Sequence, residues 1–447
     1  MSIPLLVRHL GVARFGEYVA VLSVINIAAL ASDLGLQALA LREWSSAAPG
    51  ERAGLLRMLL GLRLAAASLG ALAAIVFSVV AGYRSALVAG TAVAAIGLFA
   101  QVFGDFALVT LAGGLRFGRV ATVELTRSAL GTAGIVVLVA AGAGIVPFFA
   151  AYAFAAIVAA LLAIWLARGS ATLVPSLRPA AWRPLLADTA AYAAAAAVYV
   201  VYFRVVMLVA SIEAGARQAG LFATAFRVIE FAAAVAGVVA ATVTPVLARA
   251  SRDDPERLAR GAAAVTRAAL VAGTGAALTL GLAAPTVMDL IGGARTAAAA
   301  TVLRIEAPTV AATFVAFGMG AVLLVTRRYR ALLLANAWAL AVALGAALIL
   351  VPDHGANGAA VAALAGELTL VILQAVALAR TVPVARRLAR PLMVVAGAAG
   401  VAIAVFALVP LPNAAATAIA VVVYAALVAV LRELPPELGA IIRRRAA

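Results

Sequence analysis

The sequence contains no cysteine and no lysine. The first absence excludes disulfides, thiol catalysis and thiolate metal sites. The second makes all 34 basic residues arginine, and against 18 acidic residues they leave a net charge of +16. Charge is scarce all the same: 12% of residues are charged, about half the share of an ordinary soluble domain. The arginines sit between apolar runs rather than on one polar face, which argues against nucleic acid as a partner. Histidine occurs only at His9 and His354, both at loop edges without a third ligand, so neither a metal nor another cofactor is expected. Met1–Leu10 is too short for a cleavable signal and is interrupted by Pro4, Arg8 and His9.

What the chain has is apolar length. Hydrophobic residues make up 66% of it, more than a soluble protein of 447 residues could cover with polar groups. A helix crosses the hydrocarbon core with roughly 20 apolar residues. Such runs recur with short arginine- or glycine-bearing breaks, and they are apolar on all sides instead of alternating as barrel strands do. The expectation is an all-α integral membrane protein. Thirteen spans are predicted, at 15–41, 55–82, 86–114, 120–142, 146–167, 185–212, 218–248, 262–284, 300–325, 331–351, 357–379, 391–410 and 413–431.

Alternate loops differ in arginine. One set carries Arg42, Arg52 and Arg57, then Arg116 and Arg119, Arg168, Arg178 and Arg183, and continues to a tail with Arg443, Arg444 and Arg445. The other set holds little beyond Arg8, Arg14, Arg84, Arg217 and Arg295. The positive-inside rule makes the rich set cytoplasmic, with the C-terminus inside and the protein multi-pass in the plasma (inner) membrane.

The chain also repeats. Gly16-Glu17-Tyr18 recurs as Gly220-Leu221-Phe222 at offset 204, Glu51-Arg52 as Glu256-Arg257 at 205, and Arg84, Arg116 and Arg119 as Arg295, Arg327 and Arg330 at 211. The offset covers six spans, so the copies run parallel, a common transporter plan. The expected organisation is an N-terminal lobe at 1–167 and a cytoplasmic linker at 168–184. A C-terminal lobe follows at 185–380, then two extra helices at 381–431 and a basic tail at 432–447. The lobes are two six-helix halves around a central cavity. The partner of span 185–212 would precede Met1, with Ile3–Val7 as its last turns, so the chain is expected to start late.

These residues carry a resemblance. Arg8 to Tyr18 resembles the R-x-L-G-x-x-x-F/Y-G-x-Y start of the second helix in polysaccharide and oligosaccharide-lipid flippases of the multidrug/oligosaccharidyl-lipid/polysaccharide (MOP) superfamily. Asp33-Leu-Gly-Leu36 with Arg42-Glu43, Gly220 to Phe226, Ile291 to Ile305, and Gly355 to Ala360 with Glu367 resemble its later landmarks in order. The resemblance implies a flippase for polyprenyl-diphosphate-linked oligosaccharide in cell-surface polysaccharide biosynthesis, working by alternating access. It implies membrane lipids, a polysaccharide polymerase and glycosyltransferases as partners, and no enzymatic activity. A drug or cation exporter of the same superfamily is the alternative. A membrane polymerase or ligase fits less well, because the outer loops are short.

Ionisable groups at depth mark candidate sites. Arg204 and Arg227 flank the turn near Ala216 at eleven residues on either side and can grip a diphosphate, for which a guanidinium is suited. Alternatively, Glu230, at i+3 from Arg227, neutralises it as a brace. Arg127 either meets the diphosphate or pairs locally with Glu124. Arg304 and Glu306, before Pro308, either gate or snorkel. Asp33, Asp105, Glu230 and Glu367 are the candidate coupling or gating carboxylates, with H+ or Na+ as the coupling ion. For Asp33 a helix-breaking role is the competing reading.

Overall fold

The computed structural model describes residues 2–33, 36–46, 50–168, 174–177, 179–253, 255–379, 384–431 and 433. Parts of the expected linker (169–173 and 178) and all of the basic tail except Glu433 lie outside the described residues. The chain forms two compact units, Met1–Ile212 and Glu213–Ala447. The division falls after the span 185–212, which was expected to open the second lobe.

The first unit holds α1 (Ser2–Asp33), α2 (Leu36–Ser46), α3 (Arg52–Val80), α4 (Ser85–Gly113), α5 (Phe117–Ala140), α6 (Ile145–Leu166) and α7 (Pro179–Glu213). The second holds α8 (Gly215–Asp253), α9 (Pro255–Leu282), α10 (Ala284–Gly292), α11 (Ala299–Val325), α12 (Tyr329–Ala379), α13 (Val384–Leu408) and α14 (Asn413–Val430). Eleven of the described helices are long and apolar enough to cross a membrane. Gly355, at φ 54°, divides the 51 residues of α12 into two spans. Counted so, and with α7, the spans number the thirteen expected. Most boundaries shift by a few residues, and those of the first span shift most. The predicted span 15–41 ends at Asp33, because the Asp33 carboxylate accepts the Gln37 amide at 3.2 Å and so caps a separate helix, α2.

The repeat is written in the backbone. Among the described residues, every positive φ falls into a pair at nearly constant offset. The pairs are Gly11 (77°) with Gly215 (75°), Gly82 (69°) with Gly293 (62°), Leu115 (57°) with Arg327 (57°), and Gly142 (66°) with Gly355 (54°). The offsets are 204, 211, 212 and 213. Leu115 and Arg327 are the informative pair. A left-handed conformation is costly for a side chain with a Cβ, so its recurrence in equivalent turns reflects a shared local fold. The rise from 204 to 211 falls where the second unit carries the short helix α10.

Small residues let the helices approach. On α4, Gly90, Gly97 and Gly104 lie seven apart and face α6. A Cβ on Gly97 would come within 3.1 Å of the Ala153 Cα, and one on Gly104 within 3.2 Å of the Ala160 Cα. Close backbone approach takes over from the hydrophobic effect as the source of helix association in lipid. Gly97→Leu is therefore expected to lower stability by about 1–3 kcal/mol, since backbone atoms cannot move aside. Gly54→Leu, with nothing within 4 Å of its Cβ, should change it by less than about 0.5 kcal/mol. Thermal melts in detergent compare the two.

In the second unit α11 holds the equivalent central place, against α8, α9 and α12, with α13 and α14 packed on α9. In the first unit, the end of α7 is tied to the α3–α4 turn by Tyr83, whose hydroxyl donates to Ser211 at 2.8 Å while Ser211 donates to the Leu208 carbonyl. Burial pushes the Tyr83 phenol up, which keeps it a donor.

Candidate functional site

In the first unit, Arg63 enters the apolar interior from α3. Its Nη2 donates to Asp105 Oδ2 on α4 at 2.6 Å, and its Nη1 lies 3.1 Å from Asp33 Oδ1. The second is an ion contact rather than an aligned hydrogen bond, since Nη1 makes no hydrogen bond. The side chains of Arg63, Asp33 and Asp105 are 5%, 22% and 12% exposed, and the guanidinium lies 5.9 Å from the Phe106 ring. One cation thus joins the end of α1, the middle of α4 and α3. Asp33 both caps α2 and pairs with Arg63. The sequence reading placed Asp33 and Asp105 among the coupling carboxylates and left out the arginine that joins them. Arg63, the ninth residue of the apolar run 55–82 and deeper in it than Arg57, was the signal available.

Next to this triad lies a cleft of about 350 Å³, formed by α1, α4, α5 and α6. Tyr18, Gln101, Ser128, Thr132 and Tyr152 give it hydroxyl and amide groups, and Arg127 is the one charged residue on its wall. Tyr18 is held by stacking on Phe149, with ring centroids 5.3 Å apart. Arg127 is also ion-paired to Glu124 one turn back. Both remain more than a third exposed, at 39% and 44%, so the pair leaves the guanidinium accessible. Arg127, Glu124, Asp105 and Gln101 also line an adjoining small hollow that brings the cleft up to the triad. The structure therefore gathers Arg127, Asp105 and Asp33 in one region. His9, expected at a loop edge, donates from Nε2 to the Ala143 carbonyl at 2.8 Å and leans on Phe148.

Arg204 also belongs to the first unit, partly buried on α7, its guanidinium 5.7 Å from the Phe203 ring. Arg227 and Glu230 belong to the second, where Arg227 Nη1 donates to Glu230 Oε2 at 2.7 Å. Glu367 is buried on the second half of α12, 4% exposed. Arg304 and Glu306 part company: Arg304 is exposed, while Glu306 is fully buried. Arg304 borders an apolar groove of about 540 Å³ formed by α9, α11 and α13.

The repeat register shows that the two units differ in chemistry where they agree in fold. Asp105 corresponds to Ala316 or Phe317, Arg127 to Ala339 or Leu340, and Tyr152 to Ala365. An arginine does recur close to the α3 position: Arg267 on α9 lies 204 residues after Arg63, one short of the 205 that separates Glu51-Arg52 from Glu256-Arg257. Arg267 takes a different partner, Glu433 after α14, at 3.8 Å, and Glu433 also reaches Arg390 of α13 at 3.6 Å.

Residues 5–300 match the family described as polysaccharide biosynthesis protein. No curated protein sequence matches the chain. Among solved structures, the lipid II flippase MurJ in an inward closed conformation is similar at a TM-score of 0.79. It is 11% identical, over 96% of this chain and 95% of that one. An inward-facing multidrug resistance transporter of the MATE family in the MOP superfamily is similar at 0.73, with 17% identity over 86% and 94%. An outward-facing MATE transporter is similar at 0.60, with 19% identity over 87% and 95%. At these identities the likeness is one of fold: the chain has the helical architecture of MOP transporters.

Proposed function

Because the chain belongs to the polysaccharide biosynthesis protein family, we propose that it is a flippase moving a polyprenyl-diphosphate-linked oligosaccharide across the plasma membrane. The observation that carries this beyond the family is the charge of the first unit's cleft. A wall of hydroxyl and amide groups with arginine as its one charge suits an anionic, hydroxylated ligand, because a guanidinium offers a planar fork to phosphate oxygens. A drug cation would meet the opposite sign there. Two tyrosines on that wall and the MATE-like fold keep the drug-exporter reading as the alternative to be tested.

Arg204, Arg227 and Arg304 are further proposed contacts for the diphosphate, and H+ or Na+ the ion that drives the cycle. The arginine-rich loops support a cytoplasmic C-terminus in this reading. A polymerase and glycosyltransferases that make and consume the lipid-linked sugar are the proposed partners.

Proteoliposomes carrying the purified protein and a fluorescent polyprenyl-diphosphate oligosaccharide test the reading. The expected result is transfer between leaflets with the substrate chemically unchanged. Arg127→Ala should reduce transfer at least ~10-fold, since a charge-assisted hydrogen bond contributes about 1.5–3 kcal/mol, and Arg127→Lys should restore part of it. Export of cationic drugs without movement of the lipid-linked sugar would select the alternative, and lengthening or transfer of the sugar would make the protein an enzyme.

A further inference from the structure

The second unit contains a carboxylate that nothing assigned so far uses. Glu306 on α11 is 0% exposed, and neither of its oxygens has a hydrogen-bond partner. Thr309 and Thr313, at i+3 and i+7, lie on the same stripe of α11 and are 6% and 2% exposed. Their hydroxyls are also without partners. That is unusual in this protein. Thr91, Thr224 and Thr266, equally buried in helices, each donate to the carbonyl four residues back at 2.7–2.9 Å. The Thr309 and Thr313 hydroxyls forgo that bond and remain available to a ligand on the Glu306 stripe.

The fold does not require an acid here. The repeat register places Ala94 or Ala95 at the equivalent point of α4, the helix that occupies α11's place in the first unit. A packing position filled by alanine in one copy and by an unpartnered glutamate in the other points to a task for the glutamate.

The surrounding charges decide which form it takes. Among the charged groups on the elements packed on α11 are Arg227 and Glu230 (α8), Arg267 (α9), Asp289 (α10) and Glu367 (α12), and α11 itself carries Arg304. Of these, Glu230 is the one whose charge acts on Glu306. It is a like charge, and Arg227 is already committed to it at 2.7 Å. An ionised Glu306 would be buried with no ion pair or hydrogen bond to it among the described residues, and under the influence of a second carboxylate. Neutralisation by a proton removes both penalties.

We propose that Glu306, with the hydroxyls of Thr309 and Thr313, forms a proton-binding site in the second unit. The site holds its proton in the conformation described and releases it in another. Pro308 supplies the means of exchange. It removes a backbone N–H from the middle of α11 and frees the carbonyl four residues back, so the helix can bend beside the acid and admit water. The proposal does not depend on which substrate the protein carries.

Infrared difference spectroscopy of the full-length protein in nanodiscs, titrated with acid and base, reads the site directly. Wild type should show a carboxylic-acid C=O stretch at neutral pH that converts to carboxylate on alkalinisation, and Glu306→Gln should lack it while melting at or above the wild-type temperature. Thr309→Val with Thr313→Val keeps the acid and should move the frequency of its C=O stretch, which gives a second readout should Glu306→Gln not fold. An unchanged acid band in Glu306→Gln, or an unshifted one in the threonine variant, overturns the proposal. Stabilisation of wild type but not Glu306→Gln by sodium chloride, with no acid band in either, would replace the proton by a metal cation.

Discussion

Arg63→Ala is expected to abolish most of the folded protein, and the loss is expected to be recovered by changes to its partners rather than by any change elsewhere. The variant leaves Asp33 and Asp105 buried without the cation that joins them. Breaking a buried ion pair from one side costs about 3–5 kcal/mol, against a total stability of about 5–15 kcal/mol. Replacing all the charges by neutral groups of similar shape costs much less, because no bare charge remains. The triple variant Arg63→Met, Asp33→Asn, Asp105→Asn should therefore melt close to wild type. Asparagine is the right choice at position 33, since it can still accept the Gln37 amide and cap α2. Fluorescence-detected size-exclusion melting of the four proteins (wild type, Arg63→Ala, Arg63→Ala with both asparagines, and the triple variant) checks it. A stable Arg63→Ala variant would show that the triad holds nothing together.

The second large effect concerns Arg227. Removing it alone takes from Glu230, which is 13% exposed, the guanidinium that pairs with it at 2.7 Å. Arg227→Ala should thus lose both stability and transport, and by itself it cannot separate a brace from a ligand. The double variant Arg227→Ala, Glu230→Ala separates them, because it removes both members of the ion pair together. Where Arg227 only braces Glu230, the double variant should transport at close to the wild-type rate. Where it grips the diphosphate, the double variant should fold like wild type and still transport at least ~10-fold more slowly. Initial rates in proteoliposomes, normalised to folded protein, decide between them.

Much of this was legible in the sequence because a membrane simplifies the code. Backbone groups in hydrocarbon must bond within their own helix, so a run of about 20 apolar residues is a span almost regardless of detail. Thirteen spans follow from that constraint alone, and the repeat read from scattered glycines and arginines at offsets of 204 to 211 reappears as left-handed turns paired at 204 to 213, with Leu115 rather than Arg116 opposite Arg327. Where a polar side chain competes for the backbone, the rule falters. Asp33 cut the expected span 15–41 because its carboxylate takes the amide of Gln37, a bond that hydropathy does not register.

Sequence alone settled that this chain crosses a membrane as helices, in two parallel copies, and it singled out Asp33, Asp105, Arg127, Arg227 and Glu230 as ionisable groups within the spans. Hydropathy and periodicity report how deep a residue lies and on which face, and these depend only on neighbours along the chain. Tertiary structure decided which charge meets which. It joined Arg63 to two aspartates on different helices, left Arg127 open to a cleft, and buried Glu306 with no hydrogen-bond partner among the described residues. Those outcomes depend on how helices distant in sequence are rotated and packed against one another, and an ion pair a few ångströms long is set by that rotation.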